Sequence, residues 1–92
     1  MMKHMLSVVM DGIRDAEMVA GYAEEAIRHS EDKGVVTWFV AHAQNRLTMV
    51  ERDWRDVHEH IKAGKHDEEM LDALECHVEH SLKNLRMRIE KL

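Results

Sequence analysis

The side chains with the most chemistry to offer are carboxylates and imidazoles at helical spacing. Glu17 and Glu24 lie one heptad apart, and so do Glu51 and His58. A heptad is close to two helical turns, so each pair shares a helix face. Carboxylates and imidazoles projecting inward from facing helices are the donor set with which helical bundles hold metal. Glu17, Glu24, Glu51 and His58 are therefore candidate ligands for iron or zinc. The same groups also serve at helix seams as partners for cations. Folding the chain about the polar stretch His29–Gly34 brings Glu17 opposite Arg46 or Leu47 and Glu51 opposite Ile13 or Arg14, so Arg46 and Arg14 are available partners. Ion pairing of that kind accounts for the acids without a cofactor. The expectation is no cofactor, with iron or zinc as the alternative.

Eight histidines are many for 92 residues, and spacing decides which of them could share an ion. His77 and His80 stand three apart with Cys76 adjacent, and residues three apart on a helix can meet at one metal. His77 flanks the apolar side and His80 faces away from it, so this set converges poorly. His58 and His60 stand two apart and point in different directions. His29 follows Glu25 by four, and His60 follows Asp56 by four. Each lies in a last helical turn, where an imidazolium complements the dipole. Nucleophilic catalysis has little to work with. Cys76 has imidazoles beside it in sequence, but no oxyanion donor is evident. Ser7, Ser30, Ser81, Thr37 and Thr48 fall in no nucleophile motif, and no glycine-rich phosphate loop is present. The chain reads as non-enzymatic.

These residues need long helices to position them, and the apolar pattern supplies three. Leu6, Val9, Ile13, Ala16, Ala20, Ala23 and Ile27 make one stripe at three-to-four spacing. Val36, Val40, Ala43, Leu47, Val50, Trp54, Val57 and Ile61 make a second. Leu71, Leu74, Val78, Leu82, Leu85, Ile89 and Leu92 make a third. Proline is absent, and strand-like alternation is not found. The spacing predicts helices over 3–29, 33–63 and 67–91. Asp32 and Asp67 are the expected N-caps, with Glu68 and Glu69 against the positive dipole end. Gly64 is expected in the left-handed conformation that often ends a helix. Connections of about four to five residues make neighbouring helices antiparallel. The expected core includes Ile13, Ala20, Ile27, Val40, Leu47, Trp54, Leu74, Val78 and Leu85. The fold class is all-α, one domain over 1–92: three long antiparallel helices forming a bundle, or a half-bundle completed by oligomerisation.

The first hairpin resembles the ferritin-like superfamily, the rubrerythrin-type half-bundles in particular. The residues that carry the likeness are Tyr22-Ala23-x-x-Ala26, then Gly34, then Phe39-x-x-x-Ala43. The resemblance covers about half the chain and implies a ferritin-like helical hairpin. In that family two irons are bound through a helix 1 Glu and a helix 2 Glu-x-x-His. The equivalent positions here are Gly12, Arg46 and Met49, and no Glu-x-x-His or Asp-x-x-His occurs anywhere. The resemblance thus implies a metal-free relative, or an iron oxidase or store that uses other ligands.

Composition excludes several other classes. The net charge is −5 with neutral histidines, and charges of both signs alternate without a basic block. Nucleic-acid binding normally needs clustered Lys and Arg, so that class is set aside. No apolar run approaches the ~20 residues a membrane span needs. Met1-Met2-Lys3-His4-Met5-Leu6 is too soon charged to read as a secretion signal. The single cysteine, Cys76, cannot close an internal disulfide, which points to the cytoplasm.

A second apolar set lies away from the stripes. Val8, Val19, Tyr22 and Ala26, with Met18 at the margin, fall on the back of the first helix. Trp38 and Met49 fall on the back of the second, with His42 and Asn45 between them, and Cys76, His80 and Met87 on the back of the third. Large side chains recurring on back faces mark association surfaces. Val19, Tyr22, Trp38 and Met49 are the expected interface of a homo-oligomer, with a dimer as the simplest form.

Overall fold

In the computed structural model, which describes residues 2–64 and 67–92, the chain forms three helices. They are α1 (Met2–His29), α2 (Lys33–Ala63) and α3 (Glu68–Glu90). The bounds match the apolar periodicity to within a residue at every end, and no strand occurs among the described residues. No described helix is long and apolar enough to cross a membrane.

Local chemistry explains where the helices begin. The Asp32 carboxylate accepts from the backbone N–H groups of Gly34 and Val35, at 2.9 and 3.3 Å. The Asp67 carboxylate accepts from the N–H of Glu69 at 2.9 Å. Both caps satisfy donors that the first turn leaves without intrahelical partners. The end of α2 differs from expectation. Gly64 is extended, at φ −89° and ψ 173°, rather than left-handed. Its N–H donates to the Ile61 carbonyl at 3.1 Å, so the last turn tightens and ends without a left-handed residue. The first connection, Ser30–Asp32, is also shorter than expected.

α1 and α2 form a close antiparallel hairpin. Ala16, Ala20, Ala23 and Ala43 are fully buried, and these small side chains let the two backbones approach. The approach leaves no room at Gly12, where a Cβ would stand 2.9 Å from Val50 Cγ2. Further along, the Tyr22 and Phe39 rings lie 6.1 Å apart. These two contacts set the register of the hairpin along its length.

α3 covers one side of this hairpin. Val78, Leu82, Leu85 and Ile89 pack onto Val9, Ile13, Leu47, Val50 and Trp54 to close a continuous core. The result is a rod of 53 × 18 × 15 Å. Of the expected core, Ile13, Ala20, Leu47, Trp54, Val78 and Leu85 are buried. Val40 and Leu74 are only partly covered. Ile27 is a correction: it is 46 % exposed, lining an open groove with Met87, Arg88 and Leu92 where α1 and α3 both end.

Candidate functional site

Glu24, Glu51 and His58, three of the four candidate ligands, point toward α3, and each meets a partner there. Arg88 donates to Glu24 through Nε and Nη2, at 2.9 and 2.6 Å. Arg86 donates to Glu51 through Nε at 2.9 Å and Nη2 at 2.5 Å, and also reaches Glu90 at 3.2 Å. Two-pronged guanidinium–carboxylate pairs of this kind fix geometry as well as charge. They also neutralise the carboxylates that would otherwise attract a cation. The hydrogen bond from Arg88 holds the Glu24 carboxyl below its ordinary range, against an opposing effect of burial. Arg88 and Arg86 are correspondingly raised by their bonds to Glu24 and Glu51.

Ion pairing was the expected role of these acids, but the partners differ. Arg46 and Arg14 were the expected cations, and α3 supplies Arg88 and Arg86 instead. Glu17 is exposed and makes no ion pair among the described residues, although Arg88 feels its charge. His58 stacks on Trp54 at 4.7 Å between ring centroids, nearly parallel at 12°. Its Nε2 stands 2.8 Å from Glu75 Oε1, at ion-pair distance. Glu17, Glu24, Glu51 and His58 are thus distributed among separate contacts. Among the described residues no three His, Cys, Asp or Glu side chains gather closely enough to hold a metal ion.

The remaining histidines follow simple local rules. His29 bridges Glu25 at 3.4 Å in the last turn of α1, as expected. His80 and Asn84 share a hydrogen bond at 3.2 Å on the outside of α3. Cys76 and His77 are both exposed.

The uncovered side of the hairpin is where unused apolar surface collects. Trp38 is 59 % exposed, Tyr22 55 %, Met49 53 % and Met18 52 %. Trp38 meets Phe39 edge-on at 4.9 Å and stacks with His42 at 5.0 Å, so Tyr22, Phe39, Trp38 and His42 form one cluster near the hairpin turn. Val19 differs from these: it is partly buried and packs against the core within one chain. The short helical offset between Val19 and Tyr22 is enough to turn one inward and the other out.

Comparison with protein-family models, with curated proteins and with solved structures finds no match to this chain.

Proposed function

We propose that this chain is a non-enzymatic helical module with a structural or protein-interaction role, and that it acts by self-association, in the simplest case as a dimer. The observation that carries the reading is the row of large exposed side chains, Met18, Tyr22, Trp38 and Met49, on the hairpin side that α3 leaves open. Isolated exposed apolar residues are ordinary, but several large aromatic and methionine side chains on one side of paired helices are uncommon on monomers.

The surface area supports the same reading. The chain exposes 6666 Å², whereas a folded monomer of 10.8 kDa is expected to expose about 5,500 Å². The excess of roughly 1,100 Å² exceeds the ~800 Å² per partner that a standard interface removes. Burying Tyr22 and Trp38 alone would be worth several kcal/mol, at ~25 cal/mol per Å². Association costs a similar amount in lost freedom, so the methionines must join the aromatics for a stable contact. A reducing compartment such as the cytoplasm suits a chain whose one cysteine, Cys76, is exposed and free.

Trp38→Glu tests the reading. Light scattering after gel filtration should give the wild type the mass of an oligomer and the variant that of a monomer, with helicity by circular dichroism unchanged. A variant that keeps the wild-type mass would remove Trp38 from the contact.

A further inference from the structure

The exposed face is more than apolar, because its α1 side carries acids and its α2 side carries an arginine, Arg52, unpaired among the described residues. On the open side of α1, Val8, Asp11, Asp15, Met18, Tyr22 and Glu25 recur at alternating spacings of three and four. On the open side of α2, Val35, Trp38, His42, Asn45, Met49 and Arg52 do the same. This is the spacing with which one helix presents a seam to another. Each helix of the hairpin therefore carries two seams, an inner one used within the chain and an outer one unused. Over these stretches the α1 seam carries Asp11, Asp15 and Glu25, and the α2 seam carries Arg52, with the acidic Asp56 following at the next step of the same spacing. Asp11 and Arg52 are both exposed, and neither makes an ion pair among the described residues.

The register of the hairpin places these groups. Gly12 lies beside Val50, so Asp11 is level with Arg52, on the outer edges of the two helices. Tyr22 lies beside Phe39, so Tyr22 is level with Trp38 and its neighbours. Two hairpins packed side by side and pointing the same way would set α1 of each against α2 of the other. That arrangement keeps every adjacent pair antiparallel, as in an up-down four-helix bundle. It brings Asp11 against Arg52 twice and Tyr22 toward Trp38 twice, which a two-fold contact requires. Packing head to tail would instead set the aromatic cluster against the charged end.

We infer that the occupant of this face is a second copy of the chain, docked in parallel about a two-fold axis along the rod, with α1 of each copy against α2 of the other. The two α3 helices then lie outside a four-helix core. This inference rests on the self-association reading and adds the orientation and the pairing of the seams. The match of Asp11 with Arg52 fixes its register, and the contact would cover Met18, Tyr22, Trp38 and Met49 of both copies.

Charge reversal in two separate chains tests the pairing. Asp11→Arg places like charges at both sites of its own homodimer, and so does Arg52→Asp. In the mixed dimer both sites carry opposite charges. Each variant alone should dimerise on the order of tenfold more weakly than wild type, since exposed pairs are individually modest and two are reversed. An equimolar mixture should regain wild-type affinity, and native mass spectrometry should find the mixed species well above its statistical half share. A dimeric wild type whose variants mix only statistically would overturn the pairing and leave self-association standing. A monomeric wild type would overturn both.

Discussion

Gly12 on α1 faces Val50 on α2 with no room for a side chain, since a Cβ would come within 2.9 Å of Val50 Cγ2. Val50 is buried and β-branched, so it cannot swing aside cheaply. Gly12→Ala gains about 1 kcal/mol in helix propensity but overpacks a site where relief costs ~1–3 kcal/mol. The variant should be no more stable than wild type, and Gly12→Val should be clearly less stable. Gly21, on the same helix, is the control. A Cβ there meets only Arg88 Nη2 at an ordinary 3.5 Å. Gly21→Ala should therefore stabilise by about 0.5–1 kcal/mol. Chemical denaturation of the three variants would show the opposite signs, and a stabilising Gly12→Val would contradict the hairpin geometry.

Leu47 sits at the centre of the buried cluster, between Ala43 and Val50 on α2. Leu47→Ala should cost about 2–5 kcal/mol through lost burial and the cavity left behind. A loss below ~1 kcal/mol in urea unfolding would mean that the core does not close at this level.

Acid should weaken the link between α1 and α3. Glu24 is held below the ordinary glutamate range, chiefly by its hydrogen bond from Arg88. A carboxylate lowered in the folded state stabilises fully above its unfolded pKa, and that contribution disappears as pH falls through the folded value. Thermal stability should thus fall below the usual carboxylate range, and Glu24→Gln should make the decline shallower. The pair is partly exposed, so the effect is modest and should shrink further in high salt. An identical pH profile for Glu24→Gln would remove the pair from the account.

Elemental analysis of protein prepared without a histidine tag should find no stoichiometric iron or zinc. The physical reason is that Arg88 and Arg86 already occupy the Glu24 and Glu51 carboxylates. One or two metal ions per chain, lost in Glu17→Ala or Glu51→Ala, would favour a metal-binding function instead.

The helices and their starts were legible because each rests on local chemistry. Asp32 and Asp67 cap within three residues of themselves, and the apolar stripes run unbroken for six turns or more. The hairpin was legible too, since a short connection leaves few ways to pair two stripes. The position of α3 was not. Reading Glu17 against Arg46 and Glu51 against Arg14 considered two helices only, and the cations that reach the seam are Arg86 and Arg88 on the third. Folding about the second turn as well would have set the last turns of α3 alongside the stretch of the hairpin between the levels of Glu51 and Glu24, within reach of long side chains. Ile27 and Val19 went astray for a related reason. A helix face predicts direction, but coverage depends on where a neighbour ends and on how closely the backbones approach. The exposure of Tyr22, Trp38 and Met49 was legible because large apolar side chains opposite a complete stripe have no use for the core of one chain.

Sedimentation equilibrium of the wild-type chain, from low to high micromolar concentration, is the most direct test of the central claim. The exposed face of Met18, Tyr22, Trp38 and Met49 predicts a mass rising to twice the chain's 10.8 kDa as concentration increases. A mass that stays at that of one chain across the whole range would contradict it.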